Sequence, residues 1–320
     1  MDLERMLRMC HEGQWKTSDL DWSQPPRAMA KDDEIAIVQL FTDMSAIERL
    51  AGALFLEQQR RVSDETLKQI FATFVRDEVR HAQTAQLLAD HYDVHHYRSY
   101  RTSHTLERMF PAFVDAIQYL ADDVANAYIT AGELILDVAL LRSVDDFVHD
   151  PMSAQAMTLI NRDESRHIAI DYHMVEYYAS DGYKARRRKR PARGWREEAK
   201  AMSAFARLLL HARPFFRDVF FFPMERIDPS GTRLREAFKR IQLLTCKPKV
   251  AELPFVKFMQ TLQNAHNSRF AGPRARAVIA RLAGAEPQFL AQLATDEEVA
   301  RACAMSFDAL AEEALAAKRA

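Results

Sequence analysis

The stretches "RDEVRHA" at residues 76–82 and "RDESRHI" at residues 162–168 are two copies of one pattern, Arg-Asp-Glu-x-Arg-His. Each copy lies in a segment without Pro or Gly, 64–92 for the first and 152–180 for the second. Such uninterrupted segments favour long helices, because Gly and Pro are the residues that most often end or bend a helix. Both copies are therefore expected near the middle of a helix.

The Glu and His of each copy are three residues apart, Glu78 with His81 and Glu164 with His167. Residues at this spacing share one face of a helix. A carboxylate beside an imidazole is a mixed oxygen and nitrogen ligand set that suits iron or manganese. A single Glu-x-x-His pair is most often an ordinary surface pair, but two pairs from two helices can nearly complete a metal site.

The composition favours a helical globular protein. Hydrophobic residues make up 48% and charged residues 28% of the 320-residue chain, which is typical of a folded core and excludes wholesale disorder. Only 8 Gly and 12 Pro occur, which favours an all-α chain over a β-rich one. The formal net charge is −1, so binding of polyanions through net charge alone is not expected.

The cysteines and the apolar runs point to a cytoplasmic protein. Cys10, Cys246 and Cys303 are far apart in the sequence and form no CxxC pair, which argues against a disulfide scaffold and against a zinc ribbon. No secretory signal is recognised at the N-terminus. No apolar run reaches about 18 residues, so no membrane span is expected.

Apolar spacing and turn residues divide the chain into four predicted regions. Residues 1–30 are interpreted as an irregular arm, 31–182 as a four-helix bundle, 183–196 as a basic connector and 197–320 as further helices packed on the bundle. The aromatic stretch at 213–224 is interpreted as a buried helix segment, or else as the lining of a pocket.

The four bundle helices have recognisable ends. The first is expected at 31–61, and the second at 64–92 with Ser63 as its N-cap. The third is expected to end near Arg142, and Pro111 either begins or kinks it. The fourth is expected to start at Asp150–Pro151, since Asp is a good N-cap and Pro a good first helical residue.

Two further Glu residues lie opposite the repeated pairs. If the helices form antiparallel hairpins, residues equally far from the connecting turn lie at one level. Glu48 and Glu78 are each 15 residues from Ser63, and the turn at 148–149 lies midway between Glu133 and Glu164. Both Glu48 and Glu133 lie among apolar residues, where an ionised carboxylate costs several kcal/mol to bury unless a cation accompanies it.

Glu57 is the competing carboxylate of the first helix. It lies one turn from Arg60 and Arg61, and we interpret it as exposed.

The residues that flank the repeated pairs are predicted to support the metal ligands. They are Asp77, Arg80, Asp163 and Arg166. Each Asp precedes the His of its own copy by four positions and is expected to hold the second ring nitrogen of that His. Each Arg follows its Asp by three positions and can neutralise it. The alternative is four ordinary charges on helix surfaces.

The ligand order resembles that of the ferritin-like di-iron carboxylate superfamily. The six matching residues are Glu48, Glu78, His81, Glu133, Glu164 and His167. The resemblance covers about residues 32–180 and is closest to the oxygen-activating branch, which includes acyl-carrier-protein desaturases, multicomponent monooxygenases and p-aminobenzoate N-oxygenase. One departure is Ile160, which stands where the N-oxygenase group carries an extra His ligand.

The resemblance implies a ferritin-like bundle that holds two Fe ions, cycling between Fe2+ and Fe3+, with O2 as co-substrate. A mixed Mn/Fe centre is left open, because the ligand set suits both metals. The substrate would be a small organic or a carrier-bound molecule that is hydroxylated, desaturated or N-oxygenated. Thr130 and Asp137, at i−3 and i+4 from Glu133, are candidates to contact dioxygen or adjust the ligand set. Their alternatives are a backbone-bonded hydroxyl and a surface Asp.

The basic run at 184–196 is interpreted either as a solvated loop or as a surface for an acidic partner. Such a partner would be an external electron donor such as a ferredoxin, or a carrier protein. Nucleic acid is not favoured, because Trp195 is the only aromatic residue of the run. A homodimer is left open. The rival function is a ferritin- or rubrerythrin-like ferroxidase or peroxide scavenger, and a third reading is a metal-free helical scaffold.

Overall fold

The computed structural model describes residues 1–191, 193–283 and 285–318, and over these residues the chain is helical and contains no strand. The helices are α1 Leu3–Glu12, α2 Lys31–Arg61, α3 Glu65–Tyr92, α4 His104–Tyr119, α5 Asp122–Leu134, α6 Arg142–Val148, α7 Pro151–Ala179, α8 Asp181–Arg188, α9 Trp195–Phe216, α10 Phe222–Ile227, α11 Thr232–Thr245, α12 Pro248–Ala251, α13 Pro254–Asn267, α14 Pro273–Ala283, α15 Pro287–Leu290, α16 Asp296–Ala304 and α17 Phe307–Ala317. A 3-10 turn covers Thr17–Asp19, and π-helical turns Ile135–Leu141 and Arg217–Phe221 join α5 to α6 and α9 to α10. The prediction of an all-α fold is confirmed.

The long helices α2, α3, α5 and α7 pack on one another. Helix α2 contacts α3 and α5, and α7 contacts α5 and α3. Acids begin α2 and Arg60 and Arg61 end it, as the helix dipole favours. Asp150 caps α7 by accepting from the Ser153 amide at 2.8 Å, as expected. The cap of α3 is Asp64, which accepts from the Leu67 amide at 2.9 Å, so the prediction of Ser63 was wrong by one residue.

The predicted third helix is two helices. Helix α4 contains Pro111 in its interior and ends at Tyr119, where Leu120 takes an extended conformation. Helix α5 then begins with Asp122 and Asp123, and acids in a first turn favour a new start. The break carries neither Gly nor Pro, which is why the sequence pattern does not mark it.

Helix α5, the π-helical turn after it and α6 form one continuous helical segment, Asp122–Val148. Among the described residues, this segment alone is long and apolar enough to cross a membrane by length and composition. Of its most apolar window, 72% is buried inside the protein, as in the core helix of a soluble protein. This helix also carries Glu133 and Asp137, which are buried in the interior.

The N-terminal arm is more ordered than predicted. Residues 1–30 were expected to be irregular, but Leu3–Glu12 form α1, which packs on α3 and α7. Asp2 caps this helix by accepting from the Arg5 amide at 3.0 Å. Met6, Cys10 and Trp15 are buried, so burial of one apolar stripe is what orders the arm.

The basic connector is also partly helical, as α8 covers its first half. Arg187 pairs with Asp123 and Arg190 with Asp122, each at 3.0 Å. The interpretation of the whole run as a solvated loop was therefore wrong, because the two acids that begin α5 bind two of its cations.

The C-terminal helices pack on the long helices, with α11 on the π-helical turn after α5 and α17 on α7. The last two helices, α16 and α17, are separated at Met305 and Ser306, because Ser306 caps α17 by accepting from the Ala309 amide. Stretch 213–224 is helical, and both of its interpretations hold: Phe220 is buried, and Phe221 is buried and also lines a cavity.

The fold brings together two cysteines that are distant in sequence. The sulfur atoms of Cys246, after α11, and Cys303, in α16, lie 3.5 Å apart. A disulfide needs about 2.05 Å between sulfurs, so a small shift suffices. We expect glutathione disulfide to convert this dithiol to a disulfide, with release of two glutathione thiols, as measured by peptide mapping under non-reducing conditions.

Cys303→Ser should abolish the cross-linked peptide, and Cys10, which is buried in α1, should stay reduced. Complete recovery of free thiols from folded, oxidant-treated protein would contradict this packing of α16 on α11.

Candidate metal centre

Six predicted ligands converge in the interior between α2, α3, α5 and α7. They are Glu48, Glu78, His81, Glu133, Glu164 and His167, and none is more than 3% exposed. Two groups of four have ligand atoms that all lie within 4.8 Å of one another. The first group is Glu48, Glu78, His81 and Glu164, and the second is Glu78, Glu133, Glu164 and His167. The two groups share Glu78 and Glu164.

Each imidazole points its Nδ1 atom at the shared carboxylates. Nδ1 of His81 lies 2.9 Å from Glu164 Oε1. Nδ1 of His167 lies 3.0 Å from Glu164 Oε2 and 3.1 Å from Glu78 Oε1. The geometry therefore has two halves, each with one Glu and one His of its own and two Glu in common.

The flanking Asp residues cross between the helices. His81 Nε2 lies 3.2 Å from Asp163 Oδ2, and His167 Nε2 lies 3.6 Å from Asp77 Oδ2. The prediction that each Asp holds the His of its own helix was therefore wrong. Each ring extends from its helix toward the facing helix, so the Asp within reach of its outer nitrogen belongs to that other helix.

The two Arg residues neutralise these Asp residues as predicted, and they also join the two copies. Arg80 lies 2.5 Å from Asp77 Oδ1 and 2.7 Å from Asp163 Oδ2. Arg166 lies 2.5 Å from Asp163 Oδ1. Charge-assisted bonds of this kind are among the strongest polar contacts in proteins, so the four residues fix the orientation of both imidazoles.

The N-terminal arm completes this network, which the sequence alone did not predict. Trp15 Nε1 donates to Asp163 Oδ2 at 2.7 Å, and Gln14 Nε2 donates to Asp77 Oδ1 at 2.9 Å. Arg80 also stacks over the Trp15 ring at 4.8 Å. Gly13 leaves room for Arg166, since a Cβ at this position would lie 2.6 Å from the Arg166 guanidinium.

The centre suits metal cations because six of the eight oxygens of its four Glu residues are buried without a hydrogen bond among the described residues. Both carboxylate oxygens of Glu48 and of Glu78 are buried without a hydrogen bond from any described residue, as is one oxygen each of Glu133 and Glu164. Buried polar atoms are otherwise nearly always satisfied. Four carboxylates and two imidazoles match the donor set of a two-metal carboxylate site.

The metal-free cluster holds extra protons. Burial and the charge of Glu164 raise the pKa of Glu48 to about 7. Burial and the neighbouring carboxylates raise the pKa of Glu78 and of Glu133 well above the usual range. Burial alone would lower the pKa of the imidazoles, but the carboxylates around them raise it to about 10 for His81 and about 9 for His167.

Two predicted auxiliary residues have other partners. Thr130 donates to the Asn126 carbonyl at 2.8 Å, so its hydroxyl bonds the backbone of its own helix. Asp137 is not a surface residue but is buried, with Lys318 at 2.6 Å. Burial raises the pKa of Asp137 to about 7, although Lys318 opposes the shift.

Asp171 is a further buried carboxylate that the sequence analysis missed. Neither of its oxygens has a hydrogen bond from a described residue, and burial raises its pKa well above the usual range. It follows His167 by four positions, so the helical face of the Glu-x-x-His pair would have revealed it. Glu57, in contrast, pairs with Arg61 at 2.8 Å and lies outside the cluster, as predicted, although it is only partly exposed.

A scan against models of protein families finds no match to this chain, and a search of curated proteins finds no similar sequence. The structure itself is compatible with a ferritin-like fold, since it is all-helical and has a buried cluster of acids and histidines.

The metal-free protein should lose stability as pH rises from 5 to 8. Between pH 4.5 and 7 the folded state holds a proton on Glu48 that the unfolded state has released. Between pH 6.5 and about 9 it also holds protons on both imidazoles. Each such proton lowers the free energy of unfolding by up to about 1.4 kcal/mol per pH unit. Urea unfolding with a chelator present measures this slope.

The pKa of Asp77 and of Asp163 is lowered in the folded protein, so these groups make the free energy of unfolding rise with pH. This rise is complete by about pH 4 and does not affect the slope between pH 5 and pH 8. Burial lowers the pKa of His91 and of His173, which adds stability with rising pH only up to about pH 6.5. A free energy of unfolding that rises between pH 6.5 and pH 8 would therefore contradict the buried, proton-holding cluster.

Asp163→Asn should weaken metal affinity about 10- to 100-fold, because a ligating His loses the carboxylate that orients it. Asp77→Asn should have a smaller effect, since its contact to His167 is longer, at 3.6 Å. Chelator competition for Mn2+ measures both affinities. Asp90→Asn, at an exposed position of helix α3, which also carries Asp77, is the matched control. Equal Mn2+ affinities for the three variants would refute the pairing of each Asp with the His of the facing helix.

Proposed function

We propose that this chain is a non-haem di-iron oxidoreductase with a ferritin-like four-helix bundle, formed by α2, α3, α5–α6 and α7. The observation that supports this most directly is the pair of four-residue groups that share Glu78 and Glu164. A shared pair of carboxylates between two Glu/His halves is the arrangement that two adjacent metals need. Each of the four helices contributes a carboxylate, and α3 and α7 each add the His.

One iron would be held by Glu48 and His81 and the other by Glu133 and His167, with Glu78 and Glu164 between them. Two bound irons would supply the oxidation chemistry, which for a hydroxylation is RH + O2 + 2 e− + 2 H+ → ROH + H2O. The electrons come from an external donor of the ferredoxin class. A manganese ion in one position is compatible with the same ligands.

The chain's own residues prepare this reaction. The six ligands are buried, so bulk water is excluded and charges in the centre interact strongly. Asp163 and Asp77 orient the imidazoles, and Arg80 and Arg166 fix those Asp residues in turn. Nδ1 of each imidazole is thereby left facing the metal positions.

The exposed cations that follow α7 offer a surface for the electron donor or an acidic carrier protein. Arg186, Arg188 and Lys189 are exposed at the end of α8, one helix beyond the ligands Glu164 and His167. Opposite charge on a small acidic partner would speed its encounter with this surface.

The first experiment is metal analysis of protein loaded anaerobically with Fe2+, followed by rapid mixing with O2. We expect about two irons per chain, as in other carboxylate-bridged sites of helix bundles. Glu48→Ala and Glu133→Ala should each lose at least one iron. Glu57→Ala, in the same helix as Glu48 but outside the cluster, should keep both.

Substrate-dependent O2 uptake with a reductant would support the oxidoreductase. Iron oxidation followed by growth of a mineral core would instead support the ferroxidase. Full iron content in Glu48→Ala and Glu133→Ala would refute the assignment of the centre.

A further inference from the structure

A cavity of about 200 Å³ lies between α5 and the C-terminal helices. Its walls are mostly aromatic and aliphatic, with Phe216, Phe221, Ile241, Phe255, Met259 and Phe289 among them. The C-terminal helices supply most of these side chains, so the cavity exists because residues beyond the bundle pack against it.

The cavity and the metal centre share α5. Asn126 and Thr130 line the cavity, and Thr130 lies one helical turn before Glu133. Both side chains are fully or almost fully buried. A molecule in the cavity would therefore lie against the same helix that carries Glu133.

Most polar groups of the cavity are already satisfied. Gln242 donates to the Ala291 carbonyl at 2.8 Å, and Gln260 donates to the Thr245 carbonyl at 2.9 Å. Asn126 accepts from Gln58 at 3.0 Å, and Asp123 pairs with Arg187. These groups shape the walls and are not available to a ligand without loss of existing bonds.

The Tyr128 hydroxyl is the exception. It forms no hydrogen bond with any residue that the structure describes, and its ring packs on Phe255 with centroids 5.5 Å apart. Burial raises the pKa of Tyr128, so the phenol stays protonated and can donate. Because this hydroxyl has no partner among the described residues, it can donate to a ligand in the cavity without loss of an existing bond.

The size and charge of the cavity define the ligand that it would take. An apolar protein cavity of about 150 Å³ binds benzene, so this cavity has room for a ring with one or two substituents. Among the described lining residues there is no Lys or Arg, and the one acid is already paired with Arg187. Burial of a net charge here would be costly, so the ligand is neutral.

We propose that this cavity binds a neutral molecule of the size of a monocyclic aromatic compound, with one hydrogen-bonding group that engages the Tyr128 hydroxyl. This molecule is the substrate class of the oxidoreductase, and that part of the inference rests on the proposed function. The binding itself depends only on the cavity and is tested without metal.

The test is isothermal titration of metal-free protein with p-cresol, with toluene and octanoate as comparison probes. We expect p-cresol and toluene to bind and octanoate, which is charged, not to bind. Tyr128→Phe should weaken p-cresol about three- to tenfold, as loss of one neutral hydrogen bond does, and leave toluene unchanged. Tyr97→Phe, at an exposed tyrosine, is the control and should change neither probe.

Ala131→Phe fills the cavity from α5 and should weaken both neutral probes more than tenfold. Ala265→Phe, at an exposed position of α13, makes the same substitution outside the cavity and should have no effect. Thermal unfolding of each variant checks that it is folded. No binding of p-cresol, or equal binding in Ala131→Phe and Ala265→Phe, would overturn the inference.

The same variants separate the two proposals. Probe binding that depends on Ala131 and Tyr128, in a protein whose iron does not react with O2, would retain the cavity site and refute the oxidoreductase. Iron that reacts with O2 in a protein that binds no neutral probe would retain the oxidoreductase and refute the cavity as its substrate site.

Discussion

The burial of four glutamates at one point in a helical interior is the constraint on which the structure depends. Each ionised carboxylate in this dry environment repels the others, and burial alone penalises its charge. The chain supplies cations around the cluster, with Arg80 and Arg166 on the Asp residues and Lys318 on Asp137. None of these cations bonds a carboxylate of the four Glu residues. The Asp residues around the centre are thus neutralised, whereas the four Glu residues inside it have no Arg or Lys partner among the described residues. Divalent metals can supply the positive charge that these Glu residues need.

The repeated pattern made much of this predictable. Two mid-helix copies, with a Glu at matched depth on the facing helices, predicted the convergence of Glu48, Glu78, Glu133 and Glu164, and the structure brings these residues together. This succeeded because helical spacing and hairpin symmetry depend only on sequence distance. The start of α7 at Asp150 and Pro151 was also predicted, because capping depends only on residue types that are adjacent in the sequence.

Contacts between helices were harder to predict. The pairing of Asp163 with His81 depends on how α3 and α7 are rotated toward each other, and residue spacing carries no information on that rotation. The hydrogen bond from Trp15 to Asp163 was not predicted, because it joins residues 148 positions apart. The break between α4 and α5 has no Gly or Pro, and the cavity requires the C-terminal helices in place.

The two halves of the centre are not equivalent, although one sequence pattern builds both. His81 has a short contact to Asp163 and a stacked Trp15 nearby, whereas His167 has a longer contact to Asp77 and lies against Phe55 and Phe74. Asp171 of α7 and Asp137, which follows Glu133 by four positions and pairs with Lys318, both lie close enough to His167 to interact with its charge. Two ions bound here would therefore differ in affinity and in ease of oxidation. If two ions bind as proposed, the near-symmetric repeat would give a directional centre, in which one metal position fills first and the other lies beside the helix that borders the cavity.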